Sequence, residues 1–111
     1  MNDGLTENTH NAIIAIFKQF AEVEEAILYG SRAKGNYKPS SDIDITLKGK
    51  NLNLGIMGKI ILLTDDLLLP YKFDISIHHH IANDELLAHI KRAGKSLYRS
   101  ASTTVIYQDR F

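Results

Sequence analysis

The chain contains no cysteine, which excludes disulfide staples and zinc–thiolate centres and suits a reducing compartment. It also lacks net charge, 13 Lys and Arg balancing 13 Asp and Glu. Long-range attraction to a polyanion is therefore weak, and nucleic acid is not expected as a direct substrate. No basic run makes a nucleic-acid patch; Arg32, Lys34 and Lys38 instead share one short stretch, which suits a small anionic ligand. No apolar run approaches the ~18 residues of a membrane span. The opening MNDGLTENTHN has neither the basic nor the apolar region of a signal peptide. The expectation is a soluble cytoplasmic protein. Its 111 residues make one small domain with little core to spare and no room for a second, substrate-binding domain.

What is present is concentrated between Ile27 and Leu47. Ala26, Ile27, Leu28 and Tyr29 predict a short strand, which Gly30 punctuates. Ser31 to Lys34 then predict a helical turn whose first backbone N–H groups face an anion. Ten residues separate Ser31 from Asp42, which opens a strand that also carries Asp44. Residues two apart on a strand share a face, so both carboxylates point the same way. Each raises the other's cost of ionisation unless a cation sits between them, and magnesium with oxygen ligands answers that need. A Gly-Ser phosphate cradle nearby supplies the matching ligand, a nucleoside triphosphate. An isolated D-x-D reads as a solvated pair, and an isolated Gly-Ser says less still. Together, at a spacing that lets strand, turn and strand fold back, they are far more specific.

The remaining segments frame this stretch. Ile13, Ile16, Phe17 and Phe20 predict an amphipathic helix from about Thr6 to Phe20, capped by Thr6 or Asn8. Glu22, Glu24 and Glu25 read as a solvated acidic link, and Asn36 to Ser41 as a loop. In the strand after that loop, Asp42, Asp44 and Thr46 take one face and Ile43, Ile45 and Leu47 the other, one chemical and one core. A helix is predicted over Leu54 to Leu68, ended by Pro70. Lys72 to His78 alternates again, with Phe73, Ile75 and Ile77 inward and Asp74 outward. Strand interiors are depleted in Asp, so Asp74 is expected to join Asp42 and Asp44 if the two strands pair. His78, His79 and His80 alternate on a strand and so cannot all face one ion; they read as a polar strand end. His10 and His89 fall in predicted helices without a partner at ligand spacing. The last helix runs from the cap Asn83 towards Gly94, with Leu86, Leu87 and Ile90 as its buried stripe, and Tyr98 anchors the segment beyond Gly94. The domain is expected to span residues 1–99. The tail, 100–111, contains the β-like run Val105-Ile106-Tyr107 and its order is left open.

The pattern Gly30-Ser31, ten intervening residues, Asp42-x-Asp44 and a later strand Asp74 resembles the signature of the DNA polymerase β-type nucleotidyltransferase superfamily. More closely, YGSRAKGNYKPSSDIDI, KFDISI and IKRAGKSLY resemble the minimal nucleotidyltransferase family, from the first helix to about Tyr98. The resemblance implies an α+β fold, a mixed β-sheet backed by helices like the polymerase β palm. It also implies transfer of a nucleoside monophosphate with two magnesium ions and release of pyrophosphate. Carried onto this sequence, Asp42 and Asp44 hold the ions that bind the triphosphate. Asp74 completes the metal site and takes the acceptor's proton, Gly30 and Ser31 bind the β and γ phosphates, and Arg32 neutralises the leaving pyrophosphate. In this family such a chain is often the antitoxin partner of an all-helical HEPN ribonuclease toxin and attaches AMP to one of its tyrosines; ATP is expected on that resemblance alone. The short length agrees, since a partner must then bring the acceptor. Two other readings remain open. One is a nucleotide-binding module that neutralises a helical partner by contact. The other is an aminoglycoside-type transferase whose missing substrate-binding structure comes from a homo-oligomer.

Overall fold

The computed structural model describes residues 2–101. Local sequence sets the helix starts. Thr6 accepts the Thr9 N–H to open α1 (Glu7–Phe17), Asn53 that of Ile56 to open α3 (Leu54–Asp66), and Asn83 that of Leu86 to open α4 (Asp84–Ala93). Each cap satisfies one of the orphan donors of a first turn. Helix α1 stops at Phe17, short of the predicted Phe20, which still packs against the core from the turn beyond.

Four strands, β1 (Glu25–Tyr29), β2 (Ile43–Lys48), β3 (Phe73–Ile77) and β4 (Lys95–Arg99), form one sheet in the order β3-β2-β1-β4. β1 runs antiparallel to β2 and to β4, whereas β2 and β3 are parallel. The sheet is thus mixed and the domain α+β, as expected. β4 is a strand the sequence did not announce: KSLYR lacks an apolar alternation, and its pattern is that of a half-exposed edge. Tyr98 nevertheless anchors it, its ring 6.1 Å from that of Phe17 on α1. Glu25 is a further correction, since it opens β1 and pairs with Arg99 at 3.0 Å. The run at Val105-Ile106-Tyr107 lies outside the described residues.

The period of two divides the sheet into two faces. Ala26, Leu28, Ile43, Ile45, Leu47, Ile75 and Ile77 are buried on one face with Ile13, Ile16 and Phe17 of α1 and Ile60 of α3. Ile27 and Tyr29 point the other way and build a second, small core with Ile90 and Leu86 of α4 and with Ile81. The second face therefore has α4 over β1, and the polar residues of β2 and β3 lie on that same side. Among the described residues no helix is long and apolar enough to cross a membrane.

Candidate functional site

The register of the sheet assembles the site. Tyr29 stands opposite Asp44, and Asp44 stands beside Asp74 on the parallel neighbour. One row further along, Thr46 pairs with Ser76, and the Ser76 hydroxyl donates to Thr46 Oγ1 at 3.0 Å. Asp42 lies just ahead of β2 and is exposed, Asp44 is half-buried, and Asp74 is exposed. The sequence had Asp42 opening the strand; β2 begins one residue later, at Ile43, and Asp42 is exposed.

The electrostatics derive from this row. Burial, then the charges of Asp74 and Asp42, push the Asp44 carboxyl above the ordinary carboxylate range. The Tyr29 hydroxyl is likewise pushed up, first by burial and also by Asp74 and Asp44, against a hydrogen bond with Ser76 that lowers it. Among the described residues the ion pairs are His10–Asp3 and Arg99–Glu25, so none of the three aspartates has an ion-pair partner.

Gly30 sits where the strand breaks into the four-residue helix α2 (Ser31–Lys34). Its φ of 76° and ψ of −156° belong to a region open essentially to glycine. A Cβ there would also collide with Asp44 Oδ2. Glycine thus lets the turn's backbone lie directly against the carboxylate.

Arg32 corrects the expectation of a phosphate ligand. Its side chain is 2 % exposed, and its guanidinium donates to the carbonyls of Ser41 (3.0 Å), Asp3 (3.0 Å) and Pro39 (3.2 Å). The rings of Tyr37 and Tyr71 lie 5.3 and 4.8 Å from its central carbon. All three nitrogens are committed to carbonyls, so Arg32 fastens the N-terminal strap and the 36–41 loop that leads to Asp42. Asp3 completes the strap, accepting from Leu5 N and contacting His10 Nε2 at 2.7 Å.

The three consecutive histidines form a 3-10 turn (His78–His80), not a strand end. His79 and His80 stack edge to face with centroids 4.7 Å apart. Burial, then the charge of Lys48, holds His78 below the usual histidine value. Lys48 is four residues beyond Asp44 on β2, about 13 Å at the rise of a strand, so His78 belongs to the opposite end of the face.

His89, which the sequence left without a partner, is at the site. Its Nε2 accepts the Gly30 N–H at 3.0 Å, and its ring meets that of Tyr29 edge-on at 6.1 Å. The signal was its spacing: His89 lies three residues after Leu86, on the side of α4 that packs against the sheet.

Among the described residues no three His, Asp or Glu side chains are gathered tightly enough to hold an ion by themselves. Magnesium does not require such a cage; it keeps several waters and binds through one or two carboxylates plus phosphate oxygens. An open row of oxygen donors with uncompensated repulsion at Asp44, beside a backbone turn, fits that ion chemically.

Comparison with known proteins agrees with the fold. The model of the family described as polymerase beta, nucleotidyltransferase, matches residues 11–103. The chain is similar to a crystal structure of a toxin–antitoxin with AMP-PNP at a TM-score of 0.67 and 19% identity, over 91% of this chain and 82% of that one. It is also similar to a structure of a tri-AMPylated Shewanella oneidensis HEPN toxin in complex with MNT antitoxin, with a TM-score of 0.62, 18% identity and coverage of 93% and 80%. A third similar structure is the toxin–antitoxin MntA-HepT, with a TM-score of 0.61, 19% identity and coverage of 94% and 88%. At these identities the likeness is one of fold. No curated protein matches the chain.

Proposed function

Because the chain belongs to the polymerase beta nucleotidyltransferase family, we propose that it transfers a nucleoside monophosphate, AMP from ATP, to a hydroxyl of a helical HEPN-type partner protein. The observation that carries this reading is the alignment of Asp44 with Asp74 across β2 and β3, with Gly30 packed on Asp44. In this reading Asp42, Asp44 and Asp74 hold magnesium, two ions in the full site. When bound, magnesium supplies the positive charge that draws the triphosphate in and stabilises the departing pyrophosphate.

The chain's own groups do the remaining work. The Gly30-Ser31 turn receives the phosphates through the backbone and hydroxyl of Ser31, while the Gly30 N–H is already held by His89. The acceptor oxygen forms a bond to the α-phosphorus, and the bond from that phosphorus to the bridging oxygen breaks. The pyrophosphate leaves with the electron pair. Asp74, exposed at the row's edge, takes the hydroxyl proton and passes it to solvent. Tyr29 and the small core behind it close the inner side of the site.

The acceptor comes from outside, because the described residues are already used in one sheet and the helices that cover it. The direct test is incubation with labelled ATP, magnesium and the protein encoded next to this one. Label reaching that protein, and failing to with Asp44→Asn, is the expected result; absence of label with the unmutated chain overturns the reading.

A further inference from the structure

One side chain links α4 to the catalytic turn across 59 positions of sequence. His89 makes two contacts, each with a different part of the site. It accepts the Gly30 N–H through Nε2. It meets the ring of Tyr29, the residue that faces Asp44 across the strands.

The first contact has a definite chemical requirement. Nε2 must present a lone pair, so the hydrogen of the neutral ring resides on Nδ1. Phenylalanine would keep the edge contact to Tyr29 but offers no acceptor. A side-chain amide offers a carbonyl oxygen in its place. Gly30 has no side chain of its own to fix it, and its backbone lies directly against Asp44. A hydrogen bond to its amide is therefore an effective way to hold the turn in register with the carboxylate.

We propose that His89 is a positioning residue for the nucleotide: by holding the Gly30 amide it sets the Gly30-Ser31 turn against Asp44 in the geometry that receives the triphosphate. This rests on the nucleotide site of the proposed function and extends that site to a residue of α4.

The full chain, as His89→Phe and His89→Gln, tests this by three measurements without any partner: thermal melting, hydrogen exchange at the Gly30 amide, and titration with ATP and magnesium. His89→Phe is expected to speed Gly30 exchange and weaken magnesium–ATP binding by about tenfold each, the scale of one ordinary hydrogen bond. His89→Gln is expected to stay within about threefold of the unmutated chain in both. The two variants should melt within a few degrees of each other. Equal Gly30 exchange in all three proteins overturns the proposal, as does a nucleotide affinity that follows melting temperature and not the presence of an acceptor. An unmutated chain that binds magnesium–ATP but labels no partner refutes the transfer reading and leaves this one standing. A chain that binds none refutes both.

Discussion

Asp44 of β2 and Asp74 of β3 are register partners across a parallel strand pair, on the face of the sheet that carries Tyr29 and α4. A parallel ladder keeps the side chains of paired residues on the same side, so two acids that each look like an ordinary strand-surface residue become neighbours. Among the described residues neither carboxylate has an ion-pair partner. That arrangement disfavours the apo state electrostatically and rewards any cation that enters.

The sign of this effect is testable through stability. The Asp44 carboxyl is raised in the folded chain from its ordinary value of 3.8. Its contribution to stability is therefore complete below the ordinary carboxylate value and is lost as pH rises through the raised one. Asp44→Asn, which removes the charge at nearly constant volume, should melt a few degrees above the unmutated chain at about pH 7 and equally with it at about pH 3. Magnesium should raise the melting temperature of the unmutated chain and leave that of Asp44→Asn unchanged. A less stable Asp44→Asn at neutral pH contradicts the account.

Gly30→Ala should be costly twice over. The backbone conformation alone imposes about 1–3 kcal/mol on a residue with a side chain, and the added methyl displaces the Asp44 carboxylate. The expected result is a chain that folds with reduced stability and loses at least about a hundredfold in transfer rate, a larger loss than the folded fraction explains. Circular dichroism and initial rates on the same sample separate the two effects.

Arg32→Ala should act on stability instead of nucleotide binding. Truncation removes three charge-assisted hydrogen bonds and leaves the buried Asp3 carbonyl without its donor, at a cost of about 3 kcal/mol. Arg32→Lys should recover little, because one ammonium cannot serve three carbonyls in a plane. The KM for ATP, measured below the melting transition, should stay within about threefold. A raised KM with an unchanged melting temperature would return Arg32 to the phosphates.

The sequence revealed the site unevenly, for physical reasons. Asp42, Asp44 and Asp74 could be picked out because the alternation of apolar residues assigned each a strand face before any pairing was known. Their convergence depended only on the two strands being neighbours. Arg32 was misread because its position one residue after Ser31 suggests a phosphate ligand, while its true partners are backbone carbonyls, which leave no trace in residue identity. His89 was missed for a related reason: its partner is the amide of Gly30. β4 escaped because an edge strand needs no strong apolar alternation, and Lys95 to Arg99 supplies none.

The central claim is that this chain moves a nucleotide onto another protein, and intact-mass measurement of its co-expressed genomic neighbour tests it most directly. The account predicts a neighbour heavier by one or more nucleoside monophosphates when the unmutated chain is present, and unmodified when Asp42 and Asp44 are both replaced by Asn. A neighbour of unmodified mass in both cases, with cells protected equally by the two chains, would contradict it and leave neutralisation by contact as the function.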